Sequence, residues 1–81
     1  MNDTIMIRRS TEADHAAIAR LAQLDDRDAP QGESLLAYVD GELRAAVSLR
    51  RRGGSVADPF HLTGDVVQLL QLRAEQEQVA A

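Results

Sequence analysis

Leu35-Leu36-Ala37-Tyr38-Val39-Asp40-Gly41-Glu42-Leu43-Arg44-Ala45-Ala46-Val47-Ser48-Leu49 is the stretch that decides the fold. Two apolar runs flank an Asp-Gly pair, and Asp-Gly supplies the positive φ values that a type I′ turn needs. The stretch therefore reads as a β-hairpin, with strands at 35–39 and 42–49. On its second strand Leu43, Ala45, Val47 and Leu49 share one face; Arg44, Ala46, Ser48 and Arg50 share the other. Arg51, Arg52, Gly53 and Gly54 form the next turn, and residues 55–57 a short third partner strand. Asp58-Pro59 ends that ladder, because proline has no N–H to donate.

Upstream of the hairpin, residues 4–9 alternate as a strand, with Ile5 and Ile7 on one face and Met6 and Arg8 on the other. Ser10 and Thr11 mark a helix start. With Thr11 as N-cap, Asp14 falls at the third helical position, a capping-box variant that satisfies otherwise unpaired N–H groups. Ala17, Ile18, Leu21, Ala22 and Leu24 then make one narrow apolar stripe. Residues 25–32, with Pro30, Gly32 and three carboxylates unfavourable at a helix C-terminus, read as a solvated connection. Downstream, a helix is predicted over 64–78, with Thr63 as N-cap and Asp65 in its first turn. Val66, Val67, Leu69, Leu70, Leu72 and Ala74 cover more than half its circumference. That is wider than one small sheet needs and predicts a second contact surface through Leu69 and Leu70. Arg73 lies inside this arc, where an isolated charge is costly. It must snorkel, meet Glu77 one turn on, or meet a carboxylate of a second copy. The element order is β-α-β-β-β-α: an α+β fold, one domain over residues 1–81, with an antiparallel sheet of about four strands covered by two helices.

The chain has 81 residues, of which 13 are alanine and only 20 are Leu, Ile, Val or Phe. A core this thin leaves little margin over the entropy of ordering the chain, which predicts a structural partner, most simply a second copy in a homodimer. All nine basic residues are arginine. The lack of lysine removes Schiff-base chemistry and a P-loop lysine. The lack of cysteine removes disulfides, thiol nucleophiles and the usual structural zinc sites. No apolar run reaches the length of a membrane span and the first residues lack the layout of a signal peptide, so a cytoplasmic location is the expectation. A net charge of −4, with Tyr38 and Phe60 the only rings, argues against a nucleic-acid partner.

Three short strings carry a family resemblance. They are Ile5-Met6-Ile7-Arg8-Arg9-Ser10-Thr11-Glu12-Ala13-Asp14, Leu36-Ala37-Tyr38-Val39-Asp40-Gly41-Glu42 and Val56-Ala57-Asp58-Pro59-Phe60. With the element order, they resemble the N-terminal half of the GNAT acetyltransferase superfamily: its first strand running into helix one, its acid-Gly hairpin, and the end of its fourth strand. The resemblance implies a GNAT-like half domain. In that family the fourth strand precedes the acetyl-CoA site, and a loop of the pattern Arg/Gln-x-x-Gly-x-Gly/Ala holds the cofactor pyrophosphate with its backbone N–H groups. Here the matching place reads Phe60-His61-Leu62-Thr63-Gly64-Asp65-Val66. Only Gly64 stands as a loop glycine, and Asp65 would face a diphosphate with like charge. The segment before the hairpin is too short for the second family helix, and Tyr38 does not match the family's Tyr general acid. These departures lead to a non-catalytic GNAT-like remnant, a small self-associating interaction module without cofactor. One alternative is an N-acetyltransferase or acyl-CoA-binding protein completed by dimerisation, with Val56, Ala57, Thr63 and Gly64 lining the acetyl-CoA. The other is an anion-binding regulator.

Few residues suggest chemistry by themselves. Asp58 and His61 compose either a His-carboxylate acid-base pair or a polar turn in which Asp58 accepts backbone N–H bonds. His15 reads as a surface residue rather than a ligand. Asp25, Asp26 and Asp28 lack the ligand series and glycine turn of a calcium loop and read as a solvated acidic stretch. Arg50, Arg51 and Arg52 form a basic tip, either a seat for phosphate or an acidic surface, or a charged turn that discourages edge pairing.

Overall fold

Asp40 and Gly41 adopt φ values of 52° and 85°, the left-handed pair that a two-residue I′ turn requires. They connect β2 (Ser34–Val39) to β3 (Glu42–Ser48). The structure, a computed structural model, describes residues 5–59 and 64–80. β1 (Ile5–Arg9) pairs antiparallel with β2, and β4 (Ser55–Ala57) antiparallel with β3, giving a four-stranded sheet in the order β1-β2-β3-β4. A 3-10 turn (Glu12–Asp14) leads into α1 (His15–Leu24), and α2 (Gly64–Ala80) is the last element among the described residues. The fold is thus α+β, and its two helices pack on opposite faces of the sheet.

Under α1 lie Ile18, Leu21 and Ala22 of the helix with Leu36, Ala46 and Val56 of the sheet; under α2 lie Leu70 and Ala74 with Leu35, Ala37, Ala45 and Val47. The period-two alternation of each strand feeds both cores at once. Ala37, Ala45 and Ala46 are each completely buried. The middle of the sheet is therefore a seam of methyl groups with a helix on either side.

One register feature departs from simple alternation. Ala37 opposes Ala45 but Tyr38 opposes Leu43, so Arg44 is the extra residue of a β-bulge. The expectation that Leu43 shares a face with Ala45, Val47 and Leu49 is corrected here: Leu43 packs with Tyr38 on the α1 side, and the other three on the α2 side. The bulge flips the side of every residue before it.

The start of α1 is pinned by Asp14, which is buried. The Thr11 backbone N–H donates to Asp14 Oδ2 at 2.7 Å and the Thr11 hydroxyl to the same oxygen at 3.2 Å. Arg8 closes the group bidentately, Nη1 to Oδ2 at 2.9 Å and Nη2 to Oδ1 at 2.7 Å. The predicted capping residues are thus the ones used, but around a 3-10 turn rather than the first turn of an α-helix.

α1 lies across β3 and β4, and α2 across β3 and β2. Both helices are displaced from β1. Ile5 and Met6 consequently remain 46% and 57% exposed.

Candidate functional site

Three places on this scaffold gather the residues singled out above: the outer edge of β4, the outer edge of β1 with the exposed side of α2, and the arginine tip between β3 and β4.

At β4, Val56 is buried in the α1 core and Ala57 is half-buried at the rim. The Asp58 N–H donates inward to the Arg44 carbonyl at 2.8 Å, so antiparallel alternation points the Ala57 N–H away from β3. That outward N–H donates to Asp25 Oδ2 at 3.1 Å. The α1 C-terminus brings Asp25 there: Asp25 N–H donates to the Leu21 carbonyl at 3.0 Å, and Arg27 Nε lies 3.6 Å from its carboxylate. Asp25, Ala57 and Val67 line a small cavity of about 280 Å³ with Asp58 and Pro59. β4 pairs with no strand on its outer side among the described residues, and there the Asp25 carboxylate takes the Ala57 amide. Of the acidic stretch, only Asp26 and Asp28 are solvated.

Asp58 is buried, and Arg44 Nη1 donates to its Oδ2 at 2.9 Å. The bulge supplies Arg44 for this pair, and Arg44 Nη2 also reaches Glu42 at 2.5 Å. Arg44 thus balances the charge of this buried carboxylate. His61, its proposed partner, and Thr63 both lie outside the described residues; Gly64 is the first residue of α2. His15 is exposed. No group of three or more His, Asp and Glu side chains is placed to hold a metal ion among the described residues.

On α2, Leu70 is completely buried against the sheet, whereas Leu69 is 42% exposed and Leu72 is 57% exposed. Of the three residues assigned to an interface, Leu70 therefore belongs to the chain's own core, and Leu69 and Arg73 lie on its surface. Glu77 is not the partner of Arg73: it accepts from Arg9 Nη2 at 2.8 Å, and Arg9 Nη1 reaches Glu33 at 3.1 Å.

Sequence reading missed the outer edge of β1. Ser10 N–H donates to the Ser34 carbonyl at 2.8 Å, so alternation turns the backbone of Met6 and Arg8 toward β2 and that of Ile5, Ile7 and Arg9 outward. The edge pairs with no strand among the described residues. The signal was the run Ile5-Met6-Ile7, apolar on both faces of a strand that ends up with helices displaced from it.

The Arg8–Asp14 pair extends to Tyr38. Arg8 Nη2 lies 3.2 Å from the Tyr38 hydroxyl, and its guanidinium carbon 5.0 Å from the ring centroid. The hydrogen bond from Arg8, then the Thr11 backbone N–H, hold the Asp14 carboxyl well below the usual carboxylate range. The same hydrogen bond raises the Arg8 guanidinium further above its ordinary value. The cluster joins strand to helix, and Tyr38 serves it through its hydroxyl and ring.

No helix among the described residues is long and apolar enough to cross a membrane. Compared with known family models, curated proteins and solved structures, the chain matches none.

Proposed function

We propose that this chain is a non-catalytic, GNAT-like interaction module of the cytoplasm that self-associates through the outer edge of β1. The single observation that carries the proposal is the exposed apolar edge: outward backbone groups at Ile5, Ile7 and Arg9, with Ile5 and Met6 about half exposed. An unpaired strand edge is a template for another chain, and a two-fold axis at Ile7 makes this one self-complementary. In that register Ile7 opposes Ile7 of the second copy, and Ile5 opposes Arg9. Two sheets would join into one of eight strands with each copy's helices on the same sides. The absence of catalysis is supported by Asp25. Its carboxylate holds the Ala57 amide, the backbone group that a GNAT-like cofactor would need beside Val56.

Sedimentation equilibrium across the micromolar range tests the association. A reversible dimer is expected, lost in Ile7→Pro, which removes the central outward N–H while leaving the inward ladder of β1 intact. Ile5→Arg sets like charges against Arg9 of the other copy and serves as a second variant should proline disturb folding. Leu69→Ala leaves the dimer in place. A well-folded monomer at every concentration, or a dimer sensitive only to Leu69→Ala, overturns the proposal. Calorimetry with acetyl-CoA at millimolar concentration is expected to give no heat of binding; a saturable signal would restore the catalytic alternative.

A further inference from the structure

The tip joining β3 to β4 faces α2 across an open cleft of about 1020 Å³. Arg50, Arg51 and Arg52 stand on one side of it, and Gln71, Ala74 and Glu75 on the other. We infer that this cleft is a binding site for a small phosphorylated molecule that also carries hydroxyl or amino donors.

Charge placement is the first argument. Arg8, Arg9, Arg27 and Arg44 each pair with a carboxylate, whereas Arg20 and Arg73 are isolated surface charges without an ion pair among the described residues. The three consecutive arginines of the tip make no ion pair among the described residues. Like charges gathered with no carboxylate within ion-pair distance raise the local potential and favour an anion from outside. The fork of guanidinium donors fits phosphate oxygens in particular.

The backbone is the second argument. Gly53 N–H donates to the Arg50 carbonyl at 2.9 Å, closing a tight turn in which Arg52 has a φ of 61° and Gly54, just after it, one of 95°. The N–H groups of Arg51, Arg52 and Gly54 make no hydrogen bond among the described residues. Successive backbone N–H groups around a left-handed residue form the kind of concavity that takes an anion.

Rigidity is the third. Arg50 N–H donates to Ser48 Oγ at 3.0 Å, that hydroxyl donates to the Gln31 carbonyl at 2.6 Å, and Gln31 N–H donates to the Gly53 carbonyl at 2.9 Å. Gly53 is buried against Ser48, and a Cβ there would overlap the serine side chain. These bonds tie the turn to its neighbours without a ligand, which lowers the ordering cost of binding. The opposite wall sets the second half of the ligand. Gln71 and Glu75 offer acceptors across the cleft, and Glu75 repels a bare anion. A phosphate group at the arginines with a hydroxyl or amine reaching Glu75 satisfies both walls, and the volume suits a ligand of metabolite or nucleotide size.

Amide chemical-shift titration of the intact chain tests this, with inorganic phosphate and glycerol 3-phosphate as probes. Both are expected to shift the Arg51, Arg52 and Gly54 amides saturably, glycerol 3-phosphate at the lower concentration. Arg51→Gln with Arg52→Asn, the asparagine tolerating the positive φ, is expected to weaken both probes about tenfold or more, as loss of charge-assisted hydrogen bonds does. Glu75→Gln is expected to tighten inorganic phosphate and narrow the gap between the probes. Arg20→Gln, on α1 across the sheet, is expected to change nothing. Shifts that do not saturate, that spread equally to Arg20 and Arg73, or that survive the double substitution overturn the site.

Discussion

Replacing Leu70 by alanine separates core from interface on α2. The side chain is completely buried, and its cluster contains Leu35, Val47 and the three alanines Ala37, Ala45 and Ala74. Alanine has no rotamer with which to fill the space left behind, so the cavity persists and the cost falls at ~3–4 kcal/mol. A chain of this length is stable by only ~4–12 kcal/mol in all. The substitution therefore removes a large part of its stability and lowers Tm by roughly 15–30 °C. Urea unfolding followed by far-ultraviolet circular dichroism reads the loss directly, at a protein concentration low enough that self-association adds nothing. Leu69→Ala, one residue away but 42% exposed, is expected to stay within ~0.5 kcal/mol of the parent chain. A cost below ~1.5 kcal/mol for Leu70→Ala, less than burial and cavity require, refutes its placement in the core, the more so if dimerisation fails in the same variant.

Asp14 gives the pH dependence. Its carboxyl ionises more readily folded than unfolded because Arg8 and the Thr11 N–H hold the charged form, so its stabilisation is complete above the usual carboxylate range and fades as pH falls below it. Asp14→Asn is expected to destabilise at neutral pH and to flatten the acid limb of a stability–pH curve; an unchanged limb counts against the cluster. Gly53→Ala is expected to cost ~1–3 kcal/mol through overlap with Ser48, measured by urea unfolding, with Gly54→Ala strained only through its φ of 95°. Asp25→Ala is expected to lose ~1 kcal/mol and to speed hydrogen exchange at the Ala57 amide; an unaltered exchange rate there removes Asp25 from the β4 edge.

Local chemistry made much of this fold legible. Asp40-Gly41 specified the hairpin, Pro59 bounded the end of β4 at Ala57, and Thr11 with Asp14 marked the entry to α1. What stayed hidden depends on contacts distant in the chain. Arg44 is the bulged residue and its side chain meets Asp58, 14 residues on, and nothing in the alternation of β3 announces this. Asp25 looked like one solvated acid among three until the fold set it beside Ala57, 32 residues away. The broad apolar arc of α2 was visible, but not which part the sheet would take; packing chose Val66, Val67, Leu70 and Ala74 and left Leu69 and Leu72 outside. The arginine tip was visible as three letters, whereas the cleft before it exists only once α2 folds back.

The methyl seam of Ala37, Ala45 and Ala46 inverts the usual map of tolerance to mutation. In most small proteins the harshest substitutions shrink a large residue; here, growth by a single carbon between layers already in contact is equally unwelcome. Drift in sequence is thereby channelled outward, to the rim strand and the loops. A homologue under new selection would keep these alanines while rewriting nearly everything around them.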